Sequence, residues 1–146
     1  MSDNMEEDLT GVEIMKNGQS VAVSTDQRAI YLFKWDYFGD CNDRIMGHPS
    51  SIDKMVKYSE DLLITACEDG LLRVVSVYPN KVISILNDDI DEEDHVQFSS
   101  LSISHDRQFL AAANHDYVVN LYNIGDLADV NLGNIQHEEA KEVPRD

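Results

Sequence analysis

His48 and His95 are the residues of this chain whose type and setting could carry chemistry, each lying upstream of a turn aspartate, Asp69 and Asp116. A histidine oriented by a carboxylate serves as a general base, and imidazole with carboxylates binds divalent metals. The two pairs recur at one fixed interval, however. His95 follows His48 by 47 positions and Asp116 follows Asp69 by the same 47, as do Leu110 after Leu63, Ala113 after Ala66, Ile103 after Val56 and Tyr122 after Val75. An interval that carries apolar strand residues along with the polar ones is the mark of a repeated structural unit. No Gly-x-Ser-x-Gly elbow, phosphate-binding glycine loop or His-Glu-x-x-His helix accompanies these residues, so no catalytic, cofactor or metal residue is expected.

The elements that must position these side chains are short. From Gly47 the central unit runs through Ile52, Met55 and Val56, turns at Ser59-Glu60-Asp61, and climbs Leu62 to Cys67. It turns again at Glu68-Asp69-Gly70 and finishes on Leu71 to Val77. Short segments of branched apolar residues bounded by turn residues read as strands. An earlier copy sits 42 positions before it: Ile14 for Val56, Val21 for Leu63, Ser24 for Ala66, Gln27 for Asp69, Ile30 for Leu72 and Phe33 for Val75. Strands are expected over 10–15, 19–25, 29–35 and 44–46; then 51–57, 61–67, 71–77 and 81–86; then 97–104, 108–114 and 118–124. The five residues by which the two intervals differ are assigned to the acidic run from Asp88 to Asp94, since insertions in stacked repeats fall in loops.

Four short strands per unit of roughly 40–45 residues, with a Gly-His entry and an Asp in a tight turn, are the WD-repeat signature. The expected fold is therefore all-β: a partial WD-repeat β-propeller of about three four-stranded antiparallel blades, spanning 9–46, 47–87 and 95–127. An acidic N-terminus (1–8) and a polar acidic tail (128–146) flank them. Propellers close with 4–8 blades, so this chain is expected to leave its ring open, to be completed by further blades or by association. Position 6, where the first unit's entry histidine would fall, is Glu6.

In this architecture the loop histidine and turn aspartate join a strand hydroxyl in a buried hydrogen-bonded network. That network would comprise His48, Thr65 and Asp69 in the second unit. It would be shortened in the third, where His95 and Asp116 remain but Ala112 replaces the threonine. Trp35-Asp36 resembles the namesake dipeptide but lies two positions out of register, because the third strands end at Phe33-Lys34, Val75-Ser76 and Tyr122-Asn123. Trp35 has two readings, a packing anchor for the segment 36–43 or an exposed aromatic that anchors a partner. The run Asp88, Asp89, Asp91, Glu92, Glu93, Asp94 fails as an EF-hand, because Asp94 stands where the turn glycine belongs and Ser100 where the closing glutamate belongs. It reads as a solvated rim loop or as a dock for a basic segment.

Twenty-eight acidic against eleven basic residues give a net charge of −17, which repels phosphate backbones and favours proteins, basic ones above all, over nucleic acid as partners. The two cysteines, Cys41 and Cys67, lie in unrelated settings and form no Cys-x-x-Cys, as expected of a reducing compartment. Neither a secretory signal nor an apolar run of membrane-spanning length is expected, which places the chain as soluble and intracellular.

The strings AIYLFKWDYFGDCNDRIMGHPSSIDKMV, EDLLITACEDGLLRVVSVYPNKV and SLSISHDRQFLAAANHDYVVNLYNI resemble the C-terminal blades of the WD repeat-containing protein 55 family and its fungal counterparts, over about residues 9–127. The segments YLFKWDYFGDCNDR and GHPSSID are more specific than the general repeat. This resemblance implies a non-catalytic interaction scaffold of the nucleolus, engaged in ribosomal RNA processing and large-subunit assembly with basic ribosome-assembly factors as partners. Because some plant members of that family are linked to a cullin-4 ubiquitin ligase adaptor, it also implies an alternative, a substrate-receptor module of such a ligase. That docking uses Trp-Asp-x-Arg, which the three aligned sites lack.

Overall fold

The computed structural model describes residues 8–34, 43–78, 80–87, 95–129 and 141–142 of the 146-residue chain. Among the described residues, twelve strands form three four-stranded antiparallel sheets. The first holds β1 (Leu9–Met15), β2 (Ser20–Thr25), β3 (Ile30–Lys34) and β4 (Asp43–Ile45). The second holds β5 (Ile52–Lys57), β6 (Leu62–Cys67), β7 (Leu72–Ser76) and β8 (Lys81–Ile85). In the third, β9 (Phe98–Ile103), β10 (Phe109–Asn114) and β11 (Val119–Asn123) are completed by β12 (Lys141–Glu142). Each sheet is a meander in sequence order, the arrangement of a propeller blade. Strand boundaries lie within one or two residues of those read from the sequence. The outer strand of the third blade is Lys141–Glu142, within the stretch expected to be tail. The patch Val130, Leu132 and Ile135, weighed from the sequence as that strand, lies outside the described residues.

The blades stack in chain order, β1 against β5 and β5 against β9. Because side chains alternate across a strand, each blade has two faces. One face of the first blade (Met15, Ala22, Ile30, Leu32) packs on Met55, Leu63, Cys67 and Val75 of the second. The opposite face of the second (Leu62, Ile64, Ala66, Leu72, Val74) packs on Phe98, Leu110, Ala112 and Tyr122 of the third. The middle blade is thus apolar on both sides, and β6 and β7 are buried throughout.

Pairing corrects one equivalence. Ile14 lies opposite Val21 and Ile103 opposite Leu110, but Leu63 is faced by Lys57. Ile14 and Ile103 are therefore equivalent to Lys57, and Val56 to Glu13. Ile14 and Val21, like Ile103 and Leu110, are seven positions apart, but Lys57 and Leu63 only six, so β5 slides by one position against β6 relative to its counterparts. Since a one-residue slip exchanges the faces, this decides which side chains meet between blades.

Candidate functional site

His48 sits in the loop entering β5, and Thr65 at the centre of β6; both are buried. The imidazole Nε2 and Thr65 Oγ1 are hydrogen-bonded at 2.9 Å, while the buried Nδ1 has no partner. Burial, and after it the nearby Arg73 charge, push the imidazole pKa down to about 4, with Asp69 opposing them only in part. At neutral pH His48 is therefore uncharged.

Asp69 does not reach His48. Its two carboxylate oxygens accept from the two terminal nitrogens of Arg73, at 3.1 and 2.7 Å, and Oδ1 also accepts from the Leu71 backbone N–H at 3.1 Å. Burial alone would raise the Asp69 pKa; the Arg73 hydrogen bonds, the Leu71 N–H and the guanidinium charge outweigh it and hold the carboxyl below its ordinary value. A two-pronged guanidinium–carboxylate pair is stronger and more directional than a bond to a neutral imidazole, which is why the aspartate turns across its own hairpin. The chain thus brings His48 to Thr65 and Asp69 to Arg73, as two neighbouring pairs in place of one continuous network.

In the third blade the elements separate. Asp116 is exposed, and Ala112 is buried at the threonine position. The β10–β11 turn is closed by Asn114, whose Oδ1 accepts from the N–H groups of Asp116 (2.9 Å) and Val118 (3.1 Å). His95 is half-buried; its backbone runs against Gly70, and its charge is among the causes that lower the Asp69 pKa. In the first blade Thr25 closes the corresponding turn, its Oγ1 accepting from Gln27 N–H at 3.2 Å and donating to the Ala29 carbonyl at 3.0 Å. Three blades thus close one turn with three different side chains. Trp35 and the acidic residues Asp88, Asp89, Asp91, Glu92, Glu93 and Asp94 lie outside the described residues.

Two further residues belong to this constellation. Asn87 is buried and bridges two strands, accepting from Leu72 N–H at 2.8 Å and donating to the Gly70 carbonyl at 3.0 Å. Gly70 has φ +81°, and a Cβ built on it would meet the backbone carbon of His95 and the nitrogen of Val96 at 2.9 Å. Asp69-Gly70-x-x-Arg73 spans one hairpin, so the ion pair has a local sequence signal. The glycine contact has none, since it depends on the next blade. Among the described residues, no group of three or more His, Cys, Asp or Glu converges as a metal site, and no helix is long and apolar enough to cross a membrane.

Polar contacts tie the blades at their rims. Lys16 pairs with Asp61, the Asn17 N–H donates to Glu60 Oε1 at 2.7 Å, and Gln97 Nε2 donates to Asp53 Oδ2 at 2.6 Å. Every titratable or polar group of the predicted network that the structure describes is thus part of a turn, a hairpin or a blade contact.

No protein-family profile matches the chain. Among curated proteins it is 37% identical over 138 residues to WD repeat-containing protein 55 of Arabidopsis thaliana, covering 91% of this chain and 37% of that protein. To the protein of the same name from Homo sapiens it is 35% identical over 130 residues, 89% of this chain and 33% of that one. A fungal relative, WD repeat-containing protein JIP5 of Coprinopsis cinerea, is 28% identical over 135 residues, 85% of this chain and 32% of that protein. The C-terminal WD40 domain of Sif2 superposes with a TM-score of 0.71 at 22% identity, over 87% of this chain and 34% of that one. The chain therefore spans about a third of the length of the curated relatives it matches. Over that third, its described residues form three blades of a WD-repeat propeller, and the chain is a relative of WD repeat-containing protein 55.

Proposed function

We propose that this chain is a non-catalytic protein-interaction scaffold of ribosome biogenesis, acting in the nucleolus on ribosomal RNA processing and large-subunit assembly. One observation carries the scaffold reading: the residues with chemical potential are taken up by blade architecture. His48 is buried and neutral, Asp69 is locked to Arg73, and Asp116 sits on an exposed turn. Among the groups the blades present to solvent are turn tips. The turns after β2, β6 and β10 project from one rim, and on the last of them Tyr117 is fully exposed. β8 ends and β9 begins on the same rim, and the acidic run Asp88–Asp94 lies between them in the sequence. With a net charge of −17, the partners that fit are basic protein segments, whose association is steered by opposite charge and weakened by salt. The ribosomal context rests on the likeness to WD repeat-containing protein 55 and its fungal counterparts.

Gradient sedimentation of the tagged chain tests this reading. Co-migration with large-subunit precursors at low salt, lost as ionic strength rises, is expected. A chain that stays in the free fractions at every salt concentration contradicts it.

A further inference from the structure

We propose that Asn17-Gly18 is a site of spontaneous covalent modification, which the fold gates and whose product unfastens the first blade from the second. The inference is independent of the ribosomal reading.

Asn17-Gly18 is the one Asn-Gly step of the sequence. Glycine presents a backbone nitrogen that no side chain crowds. That nitrogen attacks Cγ of Asn17, so a C–N bond forms, the bond from Cγ to Nδ2 breaks, and Nδ2 leaves as ammonia with the proton of the Gly18 N–H. Water then opens the resulting succinimide. Cleavage at Cγ gives aspartate; cleavage at the main-chain carbonyl gives isoaspartate, with the backbone rerouted through Cβ. Water is the only co-reactant, and no electron changes hands.

The setting leaves this pair accessible. Asn17 and Gly18 are both exposed in the β1–β2 turn, and nothing lies within 4 Å of a Cβ built on Gly18. Neither the Gly18 N–H nor the Asn17 side-chain amide makes a hydrogen bond among the described residues. Asp69-Gly70 could form the same ring, but there the carboxylate is ionised and held by Arg73, and Gly70 is buried against the backbone of His95 and Val96. An ionised, immobilised carboxylate resists attack, so the chemistry is directed to Asn17.

The gate is the conformation of the turn. Lys16, Asn17 and Gly18 run in succession at φ 55°, 56° and 90°, a left-handed path that is costly for every residue but glycine and tolerated by asparagine. Asn17 has ψ 37°, which sets the Gly18 nitrogen anti to the Asn17 Cβ and out of reach of its side-chain carbonyl. The turn must therefore open before the ring can close. The second blade holds it shut. The Lys16 N–H donates to the Glu60 carbonyl at 3.0 Å, the Asn17 N–H to Glu60 Oε1 at 2.7 Å, and the Lys16 ammonium pairs with Asp61 and donates to the Tyr78 carbonyl at 3.3 Å. Local opening of this clasp releases ψ of Asn17.

The product opposes reclosure. In this clasp two cations, Lys16 and Lys57, pair with two carboxylates, Asp61 and Glu60. Conversion adds a third carboxylate on residue 17, whose own N–H is the donor to Glu60, and like charges at this separation repel. Isoaspartate also lengthens the main chain inside the turn by one carbon. Each opening that reacts is thus irreversible, and the first seam keeps a chemical record of having opened.

Isoaspartate-resolving peptide mapping of the full chain, incubated at mildly alkaline pH, tests this. Asn17 is expected to convert before any other asparagine, and more slowly in the folded chain than in urea. Glu60→Ala removes a charged acceptor, so conversion in the folded chain should be about tenfold faster, with the urea rate unchanged. Asp61→Asn, at an exposed position, should act in the same direction should Glu60→Ala fail to fold. Asn17 staying intact while other asparagines convert overturns the site. Equal rates in the folded chain and in urea, or a folded rate that neither variant raises, overturn the gate. Hydrogen exchange reads the consequence: Asn17→Asp should speed amide exchange in the β1–β2 turn and leave the β10–β11 turn unchanged. Unaltered exchange in the β1–β2 turn, or equal acceleration in both turns, overturns the unfastening.

Discussion

Replacing Gly70 with alanine separates two costs that a tight turn can hide. Gly70 has φ +81°, a conformation that costs a side-chain-bearing residue about 1–2 kcal/mol. The first and third blades nevertheless place Arg28 (φ 74°) and Tyr117 (φ 65°) at the same point of their turns, so backbone conformation alone does not demand glycine. What demands it is the third blade, whose His95 and Val96 backbone atoms stand 2.9 Å from the position of a Cβ. Backbone cannot rotate away as a side-chain tip can, and overpacking of this kind adds about 1–3 kcal/mol. The expected loss for Gly70→Ala is therefore about 2–5 kcal/mol. Gly18→Ala is the control: its φ is +90°, but nothing lies within 4 Å of its Cβ position, so about 1–2 kcal/mol is expected. Urea unfolding of both variants at one fixed protein concentration measures the difference through midpoint and slope. Equal losses in the two variants would refute the claim that the blades approach this closely at Gly70.

Asp69→Ala strands the Arg73 guanidinium, whose side chain is 7% exposed, and should cost about 1–3 kcal/mol in the same assay; no shift in midpoint would remove the ion pair from the account. Thr65→Val leaves both ring nitrogens of the buried His48 unpartnered; a loss of about 1–3 kcal/mol is expected, and an unchanged or raised midpoint contradicts it. Acid should also weaken the fold. The unfolded imidazole binds its proton near 6.5 and folded His48 only near 4, so the unfolded state holds more protons in that window and stability falls as pH drops through it. At pH 5 this amounts to about 2 kcal/mol relative to pH 7.5, and His48→Gln should flatten that slope. An identical slope in the variant would assign the acid sensitivity elsewhere.

The blade plan was legible because each strand is short, apolar and closed by recognisable turn residues, so boundaries such as 62–67 for β6 follow from local pattern. What the pattern could not carry was register. In β5, Met55 and Val56 are both apolar, and the closer spacing of Lys57 and Leu63 removes one position, so aligning Val56 with Ile14 looks right although pairing shifts it by one. The His48–Thr65 contact was readable from repeat analogy. The same analogy directed Asp69 to the histidine and passed over Arg73, because it supplies expected partners without comparing the strengths of competing ones. Lys141–Glu142 pairs with β11 without any apolar alternation to mark it as a strand, since an outer strand is held by its backbone.

The most direct test of the central proposal, that His48 serves blade structure and not acid–base catalysis, is its ionisation followed by nuclear magnetic resonance. A structural imidazole sealed between strands should keep its proton off until pH falls to about 4. Titration of His48 at or above its ordinary value near 6.5, where a general base operates, would contradict the account.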